Sequence, residues 1–326
     1  MPHGRSSGLA IGLDIGGTKI AAGVVDAAGH ILQRERAATP GSSPELVEQT
    51  VVDLVTSLRR GAPDAPVGVG AAGWMNPETG TVLFSPHLAW RNEPLRDRLV
   101  AVLDGPISVA NDADAAGWAE YRFGAGQDEP NLVCLTLGTG IGGSLVSDGQ
   151  LRRGRFGLAG EFGHQVIVPG GHRCECGNRG CWEQYASGNA LGREGRELAR
   201  ANSPVAHTLL DAAHGDVGTI DGALVTELAG SGDPACREIV AEAGYWLGLG
   251  LANLAAALDP GTFVIGGGLG SASAQLLEEA EASYRRHLTG RGYRPFARIR
   301  RAGLGAEAGL VGAADLARRE AAEAAQ

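Results

Sequence analysis

The first part of the chain alternates short apolar runs with glycine-rich or polar turns, which is the pattern of a β-sheet. Leu9–Asp14 is apolar and ends in a carboxylate, and a second apolar run covers Ile20–Val25 after Gly16-Gly17-Thr18. A polar turn at Asp26–Gly29 leads into a third run over His30–Arg36. This order predicts a strand, a hairpin and a further strand.

Beyond this hairpin the apolar positions take up helical spacing. Pro44 opens a segment whose apolar residues recur through Leu58 with a period of about 3.6, which predicts an amphipathic helix. Val67–Ala72 predicts the next strand and ends at Gly73. A strand over Ile107–Ala110 is then predicted between helices over Pro94–Leu103 and Ala113–Phe123.

The second half of the chain repeats the opening pattern. Asn131–Leu137 is an apolar strand that breaks at Gly138-Thr139-Gly140, and Ile141–Val146 returns before a turn at Asp148-Gly149. The repeat begins roughly 120 residues after the first copy. Two copies of one supersecondary unit predict a duplicated domain with a cleft between the halves.

The remainder is predicted to be mostly helical, without a linker between the halves. An Ala/Glu-rich tail from Glu320 to Gln326 is expected to fray. The pattern predicts helices over Ala186–Ala201, Pro204–Ala213, Asp221–Ala229, Pro234–Leu258, Leu276–Leu288 and Glu307–Arg319, and strands over Gly261–Ile265 and Ala297–Ala302.

Composition narrows the class of protein. A chain of 326 residues has room for two domains, and a net charge of −9 argues against a general nucleic-acid binder. Lys19 is the only lysine, and the arginines of Arg152–Arg155 are interpreted as solvated loop charge. No apolar run reaches the roughly 20 residues of a membrane span, and Met1–Gly8 is too polar for a signal peptide. We therefore expect a cytoplasmic enzyme without a membrane partner.

Three of the five cysteines fall within eight positions, and a histidine lies ten residues upstream of the first. Three thiolates and an imidazole make the closed, four-coordinate set of a structural zinc site. Without a secretion signal, clustered cysteines are interpreted as metal ligands and not as disulfides. The predicted ligands are His164, Cys174, Cys176 and Cys181.

Acidic side chains lie just before and just after these ligands in the sequence. Glu161 and Glu183, together with His164, are suited to binding the hydroxyl groups of a polyol. The metal would therefore fix a loop that carries substrate ligands. The two remaining cysteines, Cys134 and Cys236, lie in apolar segments and are interpreted as small core residues.

The first glycine turn has the residues of a phosphate site. Asp14 could hold Mg²⁺ through water, Gly16 and Gly17 allow backbone N–H groups to approach a phosphate, and Thr18 adds a hydroxyl donor. An ordinary hairpin turn explains the same residues equally well. Lys19 either neutralises phosphate or faces solvent.

A second such turn contains Gly138, Thr139 and Gly140. A strand follows it where the Walker and dinucleotide-binding motifs need a helix, which disfavours both. Two phosphate loops of this kind in duplicated halves predict an α/β fold of the actin/hexokinase-like (ribonuclease H-like) class. Gly267 and Gly268, after a strand and before a helix, would pack under an adenosine, although a simple turn explains them almost as well.

Asn111 and Asp112 follow a strand and begin a helix. A carboxylate at this point could accept a proton from a sugar hydroxyl, a role that contributes roughly 10²–10⁴-fold to a rate. Asn111 offers a donor and an acceptor to neighbouring hydroxyl groups. The competing interpretation is that one of the two merely caps the helix.

Taken together, these segments resemble the ROK family of sugar kinases and regulators, over about residues 9 to 315. The Cys-x-Cys-Gly-x-x-Gly-Cys-x-Glu segment is the most specific of them. Leu83–Trp90 and Arg91–Leu95 look most like bacterial ATP-dependent glucokinases within the family. The segments that carry the resemblance are Asp14–Lys19, Asn111-Asp112, Leu137–Gly143, Gly160–His164 and Cys174–Glu183.

The resemblance implies a transferase of glycolysis that passes the γ-phosphate of ATP, with Mg²⁺, to the 6-hydroxyl of glucose. Asp112 would be the base, and Thr18, Thr139 and their glycines would hold the phosphates. His164 would bind zinc through one ring nitrogen and reach the sugar through the other. The remaining hydroxyl groups would be bound by Asn111, Glu161, Glu183 and the backbone at Gly73.

We expect one domain from residues 1–111 with 310–326, and a larger zinc-binding domain from residues 112–309. We also expect a homo-oligomer, a dimer or tetramer. Two departures from the family pattern bear on the site. Ala110 and Asp114 flank the Asn-Asp pair where many members have Glu and Asn, and Ser144 follows Gly142-Gly143 where a third glycine is commoner.

Two alternatives remain open. Another ROK hexose kinase or an N-acylmannosamine kinase would share these motifs, and sugar choice would depend on the loop at Gly73–Asn76. A sugar-responsive repressor would carry a DNA-binding domain ahead of the first glycine turn. Only 13 residues precede Asp14, which disfavours the repressor.

Overall fold

The computed structural model describes residues 8–41, 43–85 and 88–326. These form two compact units. The first contains the chain up to Pro130 together with Ser144–Gly160 and Ala306–Gln326, and the second contains Asn131–Gly143 and Glu161–Gly305. The polar N-terminal residues 1–7, and Pro86 and His87 of the Leu83–Trp90 stretch, lie outside the described residues.

The strands are β1 (Ala10–Ile15), β2 (Lys19–Val25), β3 (Ile31–Ala38), β4 (Val67–Ala71), β5 (Trp74–Asn76), β6 (Thr81–Phe84), β7 (Arg91–Glu93), β8 (Ile107–Asn111), β9 (Leu132–Leu137), β10 (Ile141–Ser147), β11 (Gln150–Leu151), β12 (Thr262–Gly266) and β13 (Arg298–Arg301). The α-helices are α1 (Pro44–Leu58), α2 (Leu95–Val100), α3 (Asp112–Phe123), α4 (Glu183–Ala186), α5 (Gly188–Arg200), α6 (His207–Ala212), α7 (Gly222–Ser231), α8 (Pro234–Leu258), α9 (Gly267–Ala272), α10 (Ala274–His287) and α11 (Ala308–Ala324).

The first unit is built on a five-stranded sheet of order β3-β2-β1-β4-β8. β1, β2 and β3 are antiparallel, as the predicted hairpin required, and β4 runs parallel to both β1 and β8. Helix α11 lies very close to this sheet. A Cβ on Gly68 would lie 1.8 Å from the Ala313 carbonyl oxygen, and one on Gly12 would lie 2.0 Å from that of Leu310. Glycine at these two positions therefore allows the helix to approach.

A small antiparallel sheet of order β5-β6-β7 was not predicted from the sequence. Its strands contain only three or four residues, too few to establish a period of two. Met75 of β5 and Val82 of β6 are paired and buried, and the rings of Trp74 and Phe84 lie 5.5 Å apart.

The second unit contains parallel strands β9, β12 and β13 in one sheet, with β12 between the other two. β10 continues this sheet beside β9, and its residues from Ser144 onward belong to the first unit. β9 and β12 are almost wholly buried, which explains their continuous apolar runs. The strands predicted from these runs are confirmed.

Helix α8 packs along α10 through glycines. A Cβ on Gly248 would lie 2.2 Å from the Ala280 carbonyl oxygen, and one on Gly244 would lie 2.6 Å from the Cβ of Glu279. Among the described residues α8 is the one helix long and apolar enough to cross a membrane, with 61% of that window buried inside the protein. Such burial is typical of a core helix.

Several predicted helix boundaries differ from the structure, and α2 ends at Val100 where Leu103 was predicted. The helix predicted from Ala186 is interrupted, because the Ser187 side chain accepts the N–H of Ala190 and begins α5 anew. Pro204–Ala206 is a 3₁₀ turn ahead of α6. The tail that was expected to fray continues α11 to Ala324.

The compact units also differ from the expected domains at residue 112. Helix α3 belongs to the first unit, where it packs against α11. The Trp118 indole N–H donates to the Asp315 carboxylate over 2.9 Å, and both side chains are buried. The hydrophobic pattern of the sequence does not reveal this polar contact. The contact helps to hold α3 against α11 in the first unit.

Candidate active site and metal centre

The first glycine turn closes the β1–β2 hairpin. The Gly16 N–H donates to the Lys19 carbonyl over 3.0 Å, and the Thr39 hydroxyl donates to the Gly16 carbonyl over 2.8 Å. Gly17, Thr18 and Lys19 are exposed at the tip. Neither glycine has a positive φ, so the backbone freedom expected of them is not used in this conformation. The Gly16 N–H is already bonded within the turn, so the approach that the prediction requires is through the exposed backbone of Gly17, which has no side chain to block it.

Asp14, beside this turn, has an unusual acidity. Burial and the nearby negative charge of Asp112 raise its pKa from 3.8 to about 7, although the Lys19 ammonium acts in the opposite direction. Helix α11 also packs closely against the carboxylate, because a Cβ on Gly309 would lie 2.9 Å from it. A cation at this position would relieve the cost of its charge, which fits the predicted Mg²⁺ role.

The sheet brings Asp14 and the Asn111-Asp112 pair to the same edge. β4 runs parallel between β1 and β8, and pairs Gly70 with Asp14 on one side and Ala71 with Asn111 on the other. Both polar groups thus lie at the carboxyl ends of the parallel strands β1 and β8, on either side of β4, where α/β sheets bind ligands. The two motifs are about a hundred residues apart in the sequence, and the sequence alone did not predict that they lie at the same edge of the sheet.

Asn111 caps α3, as the competing interpretation proposed. Its side-chain oxygen accepts the N–H of Asp114 over 3.0 Å, and its amide donates to the Gly73 carbonyl over 3.0 Å. Gly73 has φ +131°, and a Cβ there would lie 2.3 Å from the Phe84 carbonyl. Asn111 therefore has two structural roles, because the side chain that caps α3 also holds the loop that carries Gly73.

Asp112 is the first residue of α3 and is half-buried. One carboxylate oxygen accepts the N–H of Ala113 over 2.9 Å. The carboxylate lies at the positive end of the α3 dipole, and its negative charge acts on the nearby Asp14. The group is thus placed at a helix start, at the carboxyl edge of the sheet, with a second carboxylate nearby.

The second glycine turn is attached to helix α5 and to Glu183. The Gly138 carbonyl accepts the N–H of Gly188 over 2.8 Å, and the Thr139 carbonyl accepts that of Asn189 over 3.2 Å. A Cβ on Gly140 would lie 2.6 Å from a carboxylate oxygen of Glu183. The phosphate loop predicted here is therefore in contact with a predicted sugar ligand.

Gly267 packs on the end of β9, next to this turn. It has φ +80°, and a Cβ would lie 2.3 Å from the Leu137 carbonyl. Gly268 is exposed and has open space around it. Gly268 thus offers exposed backbone near the second glycine turn, and its role in binding adenosine stays a prediction.

The four predicted metal ligands converge. Their ligand atoms all lie within 4.8 Å of one another. The Cys174 sulfur is 3.6 Å from His164 Nδ1, and the sulfurs of Cys176 and Cys181 are 3.6 Å apart. Zn–S bonds of about 2.3 Å in a tetrahedron separate two sulfurs by about 3.8 Å, so the arrangement fits zinc.

The chemistry of the donors also favours a cation. Burial raises the pKa of the Cys174 thiol well above its ordinary value, and raises that of Cys181 to about 11. Thiolates in such a setting need a compensating positive charge. His164 Nδ1 faces Cys174, and its Nε2 lies 3.8 Å from the Glu161 carboxylate. Nδ1 thus faces the metal ligand Cys174 and also lies 3.5 Å from Glu183, while Nε2 is directed to the predicted sugar ligand Glu161.

Aromatic side chains that the sequence reasoning missed support the cysteine loop. The Tyr185 hydroxyl accepts the N–H of His172 over 3.0 Å, and the buried Trp182 indole donates to the Trp246 carbonyl over 2.9 Å. Gly250 packs directly on the Trp182 ring. The position of Trp182 next to Cys181 was the available signal. Cys134 and Cys236 are buried core residues, as predicted.

Comparison with known proteins shows the family to which the chain is similar over most of its length. The ROK family matches residues 10–320. A glucokinase of Streptomyces coelicolor is 46% identical over 311 residues, covering 95% of this chain and 98% of the relative. An N-acetylmannosamine kinase of Escherichia fergusonii is 31% identical over 319 residues, covering 95% and 98%.

Among solved structures, a ROK family glucokinase from Streptomyces griseus in complex with glucose and AMPPNP is similar. It has a TM-score of 0.86 and 48% identity, and the match covers 96% of this chain and 100% of that chain. The predicted fold class, an α/β actin/hexokinase-like two-domain fold, is confirmed by this likeness.

Proposed function

Because the chain belongs to the ROK family, we propose that it is an ATP-dependent glucokinase, which transfers the γ-phosphate of ATP to the 6-hydroxyl of glucose. The observation that carries the proposal is its likeness, over nearly its whole length, to glucokinases and to one crystallised with glucose and AMPPNP. The positions of Asp112, the two glycine turns and the cysteine cluster agree with this reaction.

In the proposed reaction Asp112 accepts the proton of the glucose 6-hydroxyl as its oxygen forms a bond to the γ-phosphorus. The bond from that phosphorus to the bridging oxygen breaks, and ADP leaves. Such phosphoryl transfer depends mostly on positioning and on neutralising charge. Mg²⁺ supplies charge neutralisation when bound, and Asp14 would hold it through water.

The other groups bind and orient the two substrates. Glucose hydroxyl groups would be bound by Gly73, Asn111, Glu161, His164 and Glu183. ATP would be held by Gly16, Gly17, Thr18 and Lys19, by Gly138, Thr139 and Gly140, and by Gly267 and Gly268. Zinc on His164, Cys174, Cys176 and Cys181 would be structural, because four protein ligands leave no open position for a catalytic water.

Replacement of the base tests the proposal. Asp112→Ala should lower kcat by about 10²–10⁴-fold while glucose still binds, because the hydroxyl ligands remain. Isothermal titration and a coupled ADP assay measure the two effects. Asp97→Ala is the matched control, since Asp97 is an exposed carboxylate in the first turn of α2. A wild-type kcat in Asp112→Ala would remove the base assignment.

A second candidate is an N-acylmannosamine or other hexose kinase, favoured by the likeness to the N-acetylmannosamine kinase. Both alternatives use the same base and phosphate loops, so only the sugar distinguishes them. The ADP assay with glucose, mannose, fructose, allose and N-acetylmannosamine separates them. A higher kcat/KM for any sugar other than glucose would select that alternative.

We also infer a cytoplasmic enzyme that acts as a dimer or tetramer. The substrate ATP and a use of the product in glycolysis support the location. Light scattering after gel filtration measures the assembly state directly, and a single 33.4 kDa species would contradict the oligomer.

A further inference from the structure

One carboxylate beside the proposed base has no role in the reaction described above. Asp114 lies two residues after Asp112 and is 3% exposed. Its carboxylate faces the Arg153 guanidinium, with the Asp114 Oδ2 and Arg153 Nε atoms 3.6 Å apart. A charge so deeply buried is costly unless an opposite charge accompanies it.

The backbone of Asp114 is held as well as its side chain. Its N–H donates to the Asn111 side chain over 3.0 Å, and this side chain in turn donates to the Gly73 carbonyl. The start of α3 is therefore fixed at two points, by Asn111 through the backbone and by Arg153 through the side chain. Asp112 lies in the chain between the two residues that are held, Asn111 and Asp114.

Arg153 is itself held in place by two contacts. Its carbonyl accepts the N–H of Ala159 over 3.0 Å, which closes the loop over residues 153–159. Its guanidinium also lies 3.7 Å from the Glu320 carboxylate on α11. Arg153 therefore joins α3, this loop and α11, all within the first unit.

The charge around the start of α3 is mostly negative. Four carboxylates contribute negative charge, namely Asp14 on β1, Asp112 and Asp114 on α3, and Glu320 on α11. The positive charges are those of Lys19 on β2 and Arg153. Asp315, also on α11, is already paired with Arg122 and Arg318. Loss of the Arg153 guanidinium would make the charge of this region more negative, and the first turn of α3 would shift to reduce the repulsion among Asp14, Asp112 and Asp114.

We propose that Arg153 is a positioning residue for Asp112, acting through its ion pair with Asp114. The inference rests on the proposed function, in which Asp112 accepts the sugar proton. A base displaced by about 1 Å can lose about 10²-fold in rate. The pair therefore matters for turnover more than for the binding of ATP, because none of the proposed ATP ligands is on α3.

A double-mutant cycle tests this. Arg153→Met should lower kcat by about tenfold or more and leave the KM for ATP within about twofold. Asp114→Asn/Arg153→Met should recover most of the lost kcat, because the neutral amide needs no guanidinium. Asp114→Asn alone is nearly isosteric and keeps the test usable if Arg153→Met folds poorly; thermal melts of each variant report this.

Arg155→Met is the matched control. Arg155 lies in the same loop and pairs with Glu78 at the same 3.6 Å, but both side chains are more than three-quarters exposed. We expect its kcat to stay within about twofold of wild type, because exposed pairs contribute little.

The outcomes separate this inference from the proposed function. Wild-type protein that fails to phosphorylate glucose would refute the function itself. If wild type is active, an unchanged kcat in Arg153→Met would refute the positioning role alone. A double variant whose loss equals the product of the single losses would also refute it, because the two side chains would then act independently.

Discussion

At the scale of single residues, two carboxylates held close together cost folding free energy when both are charged. Asp14 and Asp112 are such a pair, brought to one sheet edge by the parallel register of β1, β4 and β8. Each came from a different sequence motif. The spacing of motifs along the chain contains no information about this proximity, which only the strand order supplies.

The raised pKa of Asp14 predicts a pH effect on stability. Below its ordinary value of 3.8 the group is protonated in both the folded and unfolded states and has no effect. Between there and about 7 the unfolded state loses its proton while the folded state keeps it, so the free energy of unfolding falls as pH rises. Asp14→Asn should therefore melt higher than ligand-free wild type at pH 8, but not at pH 4, and should bind Mg-ATP more weakly.

Calorimetry at the two pH values measures this difference. Asp26→Asn is the control, because N–H donors from the His30 backbone hold the pKa of Asp26 below its ordinary value. That substitution should not raise the melting temperature at pH 8. A pH-independent effect of Asp14→Asn would contradict the assigned acidity.

The cysteine ligands predict a metal-dependent loss. Cys176→Ser should lower the zinc content well below one per chain and weaken glucose binding, since His164 would no longer be fixed beside Glu161. Metal analysis and calorimetric titration measure both effects. Cys236→Ala, which removes a buried cysteine outside the cluster, should retain the metal. Wild-type protein without zinc would refute the site.

At the scale of secondary structure, the sequence predicted most elements because their apolar positions are buried as the pattern requires. The meander β1–β3 and the helices α1, α3 and α8 have the predicted extents to within a few residues. The misses have local causes. β5–β7 are too short to establish a period, and the cap at Ser187 interrupts a helical pattern that otherwise continues.

The candidate site was predictable where its residues cluster in sequence. All four metal ligands lie within His164–Cys181 and converge as expected. Trp182 could have been noticed from its position next to Cys181, but its partner Trp246 and the contact between Arg153 and Asp114 were not predictable, because no periodicity relates these residues. Asn111 was ambiguous between cap and site residue, and the structure gives it the cap together with a contact to Gly73.

The close packing of α11 on the sheet predicts a strong effect at Gly68. An alanine Cβ there would meet the Ala313 carbonyl at 1.8 Å, so Gly68→Ala should destabilise by about 1–3 kcal/mol or more. Gly230→Ala is the opposite control. Gly230 is an exposed residue inside α7 with nothing within 4 Å, and its replacement should stabilise by about 0.5–1 kcal/mol. Urea unfolding measures both changes.

At the scale of the whole molecule, the last helix completes the first unit. α11 returns after the entire second unit and covers β1 and β4. Its residues from Ala308 to Ala317 are all buried. The unit that contains Asp14 and Asp112 therefore depends on the final segment of the chain.

Truncation at Gly305 should therefore prevent folding of the first unit. Such a protein would expose the sheet face that α11 covers, and we expect it to be insoluble or to lose cooperative unfolding. Removal of residues 324–326 alone, which are exposed, should leave melting temperature and activity unchanged. A soluble, active protein lacking residues 306–326 would contradict this role for the helix.

Glu183 lies 3.1 Å from the Cys174 sulfur and 3.5 Å from His164, and a Cβ on Gly140 would lie 2.6 Å from its other oxygen. A single carboxylate thus borders the cysteine cluster on one side and the second glycine turn on the other. Any disturbance of the cluster would be transmitted across this shared group. Removal of zinc should consequently raise the apparent KM for glucose and the apparent KM for ATP together, and not that for glucose alone.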